Sequence, residues 1–381
     1  MLEKITLFGE EAGETDAVSD LEQVTTGGLR LRETSKRRAG SIQTVRRTPR
    51  MSPSAASPSN TKASRTAEIR IGISSCLLGE EVRFDGGHKR DRFLTDTLTD
   101  FVSFVPVCPE MEIGLGTPRE TMHLEKVGKS VRLLTTKSRE DLTDRMVTWA
   151  EKRVAQLEAM DLCGFILKKG SPSCGMERVK VYGRGGTPPS KQGRGLFAAE
   201  LLDRITALPV EEEGRLHDPR LRENFFVRVF AYRRLKSFFE TDWKQRDLIA
   251  FHTAEKLLLR AHDPEGFKKL GQLVAAGRRR SPRLLQEEYS TGVMDVLRKK
   301  ATVRKVAAVL QHTLGHLRKH LDDRSRHELL DLIEDFRSGL IPSVVPMTLL
   351  AHHARHHEIE YLLGQTFLDP HPKELMLRNH V

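Results

Sequence analysis

Three short apolar runs in the first half of this chain each lead into a cysteine. IRIGIS precedes Cys76, FVSFVPV precedes Cys108, and Phe165, Ile166 and Leu167 run through Gly170 and Pro172 to Cys174. The Phe165–Leu167 run lacks helical spacing and stops abruptly at glycine and proline, so it reads as a buried strand entering a tight turn, and the other two follow the same plan. If the strands are parallel neighbours, their C-terminal ends converge on the edge where open α/β sheets bind ligands. Three thiols would then meet at one site.

A chain of 381 residues is too long for one small core, and two domains are expected. Its 38% hydrophobic and 30% charged content suits a globular protein. No run approaches the roughly 18 to 20 apolar residues of a membrane span. The N-terminus carries Glu3, Glu10, Glu11, Glu14 and Asp16 without a long apolar stretch, which argues against a secretory or transit signal, so a cytoplasmic location is expected. Four cysteines do not make a disulfide framework and point instead to metal or redox chemistry. The net charge of +11 admits nucleic acid as a partner without indicating it.

Residues 1–66 read as a disordered basic tail, rich in Ser, Thr, Pro, Arg and Lys from Arg30 onward, with too few large apolar side chains to offset the entropy of folding. A first folded unit is expected over 67–213. Its strands alternate with helices at Asp91–Asp100 and Ser138–Met160, the second bearing Leu142, Met146, Trp149, Val154 and Leu157 at helical spacing. That alternation predicts an α/β fold, a parallel sheet covered on both faces. VRLLTT is a further strand candidate, VKVYGRGGTPPSKQGRG reads as a glycine-rich loop, and LPVEEEGRL as an edge strand. The glycine-rich loop lacks the lysine-serine ending of a P-loop. From Asp218-Pro219 the helical period dominates, predicting an all-α domain over 218–381 with helices at Arg246–His262, Pro282–Lys299, Val303–Leu321, Glu328–Phe336 and Pro346–Leu363.

A single cysteine at a strand end is more often packing than ligand. Three at matching positions favour metal ligation by Cys76, Cys108 and Cys174. Cys163 begins the strand that Cys174 follows, and at about 3.3 Å per residue the two sulfurs would stand more than roughly 20 Å apart, which excludes it as a ligand. Structural zinc prefers four ligands in close C-x-x-C pairs, which are absent from this sequence. Three thiolates without a fourth suit a cubane iron–sulfur cluster with one iron open to substrate.

SSCLLGEEVRFDGG, VCPEMEIGLGTPRE and LKKGSPSCGMERVKVYGRGG closely resemble the three motif blocks of the thiouracil desulfidase family, over about Glu68 to Leu208. The resemblance implies a [4Fe-4S] cluster on Cys76, Cys108 and Cys174, with a thiolated small molecule such as a 2-thiouracil-like base as substrate. It implies desulfidation, a carbon–sulfur bond hydrolysis, with the substrate sulfur on the open iron and Glu110 as the acid or base. Ser171 and Ser173 resemble substrate-side hydroxyls. Asp85, Arg119 and Lys168 are weaker candidates. From about Leu221 to Asn379 the chain resembles a second domain family of unknown function, the YbgA type, which implies an architecture without a mechanism.

QHTLGHLRKH stacks His312, His316 and His320 on one helical face, and HHARHH pairs His352 with His356 and His353 with His357. Such pairs can bind metal, but the HExxH glutamate is absent from this sequence and a solvated polar face is the usual explanation. Two alternatives stand beside the desulfidase. One is a nucleic-acid-binding protein with a structural cluster or metal, using basic clusters such as Arg278-Arg279-Arg280. The other is an iron–sulfur enzyme of RNA sulfur modification.

Overall fold

The computed structural model describes residues 69–183 and 188–380; the expected basic tail lies outside them. Four parallel strands form the first sheet, in the order β2-β1-β5-β8: β1 (Arg70–Ser74), β2 (Ser103–Val107), β5 (Leu162–Leu167) and β8 (Val210–Glu212). β1 and β5 read as unbroken apolar runs because both faces of the sheet are covered. Gly72 on β1 leaves room for a ring that needs it: a Cβ there would sit 2.2 Å from the Phe165 side chain of β5.

One face packs against α2 (Thr143–Ala159) and α3 (Leu196–Arg204), through Ala150, Val154, Leu157, Phe197, Ala198 and Leu201. The other face meets α4 (Pro219–Phe239), the first helix of the helical region. Phe225, Phe226 and Val229 of α4 bury Ile71, Ile73, Cys163 and Ile166 of the sheet. Each such side chain is worth about 1.5 to 3 kcal/mol of apolar burial, so the helix is part of this core and not an appendage to it. Asp218 starts α4 by accepting from the Arg220 and Leu221 amides, with Pro219 in the first turn.

A smaller sheet flanks the first, ordered β4-β3-β6-β7, with β3 (Met122–Val127), β4 (Ser130–Thr135), β6 (Val179–Tyr182) and β7 (Ser190–Gly193). Here the structure departs from the expected glycine-rich loop, since β6 and β7 are paired strands. Val179 and Val181 alternate with Lys180 and Tyr182 at strand period, a pattern too short to stand out beside the glycines. The long helix also begins later than Ser138. Ser138 donates to Glu120, Arg139 has φ 61°, and Asp141 bridges back to Leu134, so α2 starts only at Thr143.

Beyond α4 the chain is helical: α5 (Gln245–His262), α6 (Pro264–Ala275), α7 (Pro282–Arg298), α8 (Val303–Leu317), α9 (Asp323–Arg337), α10 (Val344–His356) and the single turn α11 (Glu360–Leu363). α6 was not expected, because Gly266 and Gly271 dilute its helical signal. A separate apolar core around Tyr289, Leu257, Leu310 and Leu350 holds these helices together. No helix among the described residues is long and apolar enough to cross a membrane.

Candidate active site

The register of the parallel sheet aligns Ser74 with Val107, so β1 and β2 end level with each other. Cys76 follows in a single helical turn (Ser75–Leu78), and Cys108 caps the start of α1 (Pro109–Glu112). β5 ends beside β1, where the Lys168 amide donates to Ser74 Oγ at 3.0 Å, and the chain then turns through 168–175 to Cys174. All three cysteines border one cavity of about 340 Å3 at the C-terminal edge of the sheet. Cys163 lies at the far end of β5, fully buried under α4 and outside that cavity.

The six residues singled out from sequence are thus brought together, with a division between the serines. Ser171 lines the cavity. Its Oγ also accepts from the amides of Ser173 and Cys174, at 3.2 and 3.1 Å, and so shapes the turn that presents Cys174. Ser173 is completely buried behind the wall and donates to a carboxylate oxygen of Glu110. The second Glu110 oxygen accepts from the Cys108 thiol at 3.6 Å. The helix-capping carboxylate here is Glu112, which accepts from the Cys108 amide at 3.3 Å and pairs with Arg153 at 3.0 Å. Gly195 permits the close approach of α3 to this turn, since a Cβ there would lie 2.4 Å from the Ser173 carbonyl carbon.

Burial dominates the thiol chemistry. It pushes Cys76 up to about 11, partly offset by nearby Lys168, and Cys108 up to about 12, reinforced by Glu110. Cys174 is pushed well above the ordinary range by burial, then by Glu110, and Cys76 and Cys108 raise it further. Three thiols around one cavity, two buried and one half-buried, cannot all ionise unless a cation is supplied among them, as metal coordination supplies it. Among the described residues no three His, Cys, Asp or Glu are grouped as ligands of a single ion. The fit to a multinuclear iron–sulfur cluster therefore rests on the shared cavity and on the soft, all-thiol donor set.

Of the weaker candidates, Arg119 and Lys168 line the cavity and Asp85 does not. Asp85 is a turn carboxylate that accepts from the Arg83 guanidinium at 3.3 Å and the Gly87 amide at 3.2 Å. Arg119 donates through Nη1 to Gly116 O at 2.8 Å, while its buried Nε has no hydrogen-bond partner among the described residues. Lys168 is held by Glu213 and by the Lys169 carbonyl at 3.2 Å. Sequence reasoning missed Phe84 at the cavity wall, an aromatic left 41% exposed with the Arg83 guanidinium 5.3 Å from its ring centre. The available signal was a lone phenylalanine inside the polar turn RFDGG.

Residues 71–213 match the model of the 2-thiouracil desulfurase family, and residues 256–372 match a family of proteins of unknown function. The uncharacterized protein YbbK of Bacillus subtilis is 36% identical over 110 residues, covering 28% of this chain and 72% of YbbK. The chain belongs to the 2-thiouracil desulfurase family. This desulfurase-family chain also resembles the uncharacterized protein YbgA of Escherichia coli, 27% identical over 161 residues, which cover 42% of this chain and 95% of YbgA. A solved structure described as the [4Fe-4S]-dependent thiouracil desulfidase TudS is 33% identical and covers 40% of this chain and 95% of its own, with a TM-score of 0.33.

The histidines of the helical region do not join this site. His312 and His316 meet edge to face on α8 with ring centres 5.1 Å apart, and His320 lies 5.5 Å from His357, the residue after α10.

Proposed function

We propose that this chain is a desulfidase that converts the C=S group of a thiolated pyrimidine-like base to C=O, consuming water and releasing sulfide. Residues 67–213 would carry the site and residues 218–381 would form a helical accessory region. The observation that supports this most is the meeting of Cys76, Cys108 and Cys174 with Glu110 and Ser171 around one cavity at the sheet edge. These three cysteines would hold a [4Fe-4S] cluster. When bound, such a cluster supplies an iron that accepts the substrate sulfur and polarises the thiocarbonyl.

The protein's own groups do the rest. Glu110 receives the proton of the attacking water, an effect worth about 10² to 10⁴ in rate. Ser173 fixes one carboxylate oxygen so that the group cannot rotate away from the cavity. Ser171 faces the cavity and offers its hydroxyl to a ring nitrogen or oxygen of the base. Phe84 provides a flat surface for the ring, and Arg119 at the wall brings positive charge toward a substrate oxygen. The wall carries Arg83, Lys89, Arg119, Lys168 and Lys169 against Glu110 and Glu120, which favours substrates with negative charge.

Anaerobic reconstitution with iron and sulfide tests the proposal, followed by sulfide release from 2-thiouracil, its nucleoside and a thiolated RNA. About four irons per chain and catalytic sulfide release from at least one of the three are expected. Iron binding without release from any of them would leave a structural cluster and sink the desulfidase.

A further inference from the structure

A second cavity, of about 210 Å3, lies within the helical region and has no part in the chemistry above. α4, α5, α8, α9 and α10 surround it, and the C-terminal segment folds back across it through Phe367, Arg378 and His380. Its apolar walls include Val227, Leu258, Val306, Phe336 and Met347. Close-packed interiors contain few voids larger than a water molecule, so an opening of this size between helices is a feature to be explained.

The polar groups at the cavity are unbalanced in sign. Among the described residues, Arg220, Lys300 and Arg378 line it against a single carboxylate, Glu223. Glu223 is already engaged on both oxygens, by Arg378 Nε at 3.1 Å and by His380 Nε2 at 2.9 Å. Arg378, whose side chain is only 11% exposed, also donates through Nη1 to Phe367 O at 2.8 Å. Its Nη2 makes no hydrogen bond among the described residues and so stays available as a donor at the cavity. Two helices also begin at the cavity. α8 starts at Val303 and α10 at Val344, and Ser343 ahead of α10 provides no side-chain cap. Thr302 caps α8 by accepting from the Lys305 amide at 3.4 Å, and the positive ends of the two helix dipoles add to the potential.

From the apolar walls, the excess of cations and the unmet Arg378 donor, we propose that this cavity is a binding site for a small organic acid. The ligand would place a compact hydrocarbon or aromatic body against Val306 and Met347 and its carboxylate on Arg378. Such an arrangement, mostly apolar with a few convergent polar groups, is that of small-molecule sites in general.

Calorimetric titration of the full chain with benzoate, and with benzyl alcohol as its uncharged counterpart, tests the assignment. One saturable benzoate site per chain is expected, with the alcohol at least about tenfold weaker because it cannot pair with the guanidinium. Arg378→Met should weaken benzoate about tenfold and leave the alcohol unchanged. Val306→Phe, which fills the cavity, should remove both, with the helical circular dichroism retained. Equal affinity for acid and alcohol, benzoate binding that survives Val306→Phe, or no saturable binding by the unaltered chain would each overturn the proposal.

Discussion

Ser173, with no exposed surface, donates its hydroxyl hydrogen to Glu110, which precedes it by 63 residues in the chain. The bond joins the turn after β5 to the turn after β2. It aims one carboxylate at the cavity that the three thiols border. Glu110→Gln keeps the shape and loses the base, so kcat should fall by about 10² to 10⁴ with iron content unchanged. Ser173→Ala should also lower kcat while leaving KM close to its starting value, because it frees the carboxylate without touching substrate. Sulfide release and iron analysis on the same samples measure both; an unaltered kcat in Glu110→Gln would remove that residue from the mechanism.

Iron binding separates the cysteines. Cys76→Ala, Cys108→Ala and Cys174→Ala should each lose most reconstituted iron and its visible absorbance. Cys163→Ala should keep the iron and lose only about 1 kcal/mol of stability, the cost of a small hole beneath α4. Equal iron in all four variants would mean that the shared cavity is not a ligand site.

Gly195→Ala examines the packing that holds the Cys174 turn. The added methyl would collide with the Ser173 backbone, a group unable to swing aside as a side chain could. Overpacking of this kind costs about 1 to 3 kcal/mol, and the displaced turn should lower iron occupancy. Denaturant melts together with iron counts would expose a mistaken reading if both stayed at wild-type values.

Phe84→Leu should raise KM severalfold for an aromatic thione with little change in kcat, and Phe84→Tyr should restore KM. Loss of the flat ring weakens stacking, an effect of about 0.5 to 1.5 kcal/mol. A KM that stays constant across the series would show that the ring does not rest there.

Two buried histidines set an acid limit on the helical region. Burial lowers His262 to about 4 and, with Arg378 nearby, His371 to about 4, from an ordinary 6.5. The unfolded chain therefore binds more protons between these values. The stability the two neutral rings contribute is complete above about pH 6.5 and is lost as the pH falls toward 4, by at most about 3 kcal/mol each. His262→Gln should flatten the pH dependence of the unfolding free energy across this window. A slope identical to wild type would contradict the assignment.

Much of the site was legible without coordinates. Apolar runs ending in Cys76, Cys108 and Cys174 are local patterns, and a parallel sheet places such ends on one edge. Cys163 could be set aside by its position along β5, because strand rise is nearly constant. What tertiary structure alone decided is which neighbours those groups meet. Ser171 and Ser173 are two residues apart in one turn, yet only the folded turn puts one at the cavity and the other behind it on Glu110. Glu110 and Glu112 are the same residue type two positions apart, and packing against Arg153 gave the capping role to Glu112. The helical period that begins at Asp218-Pro219, with Phe225, Val229 and Leu235 on one side, foretold an apolar face without naming its partners: Phe225 and Val229 cover the open side of the sheet, while Leu235 joins the core of the helical region. Periodicity reports that a face must be buried; what buries it depends on contacts between segments distant in the chain, which a local pattern does not encode.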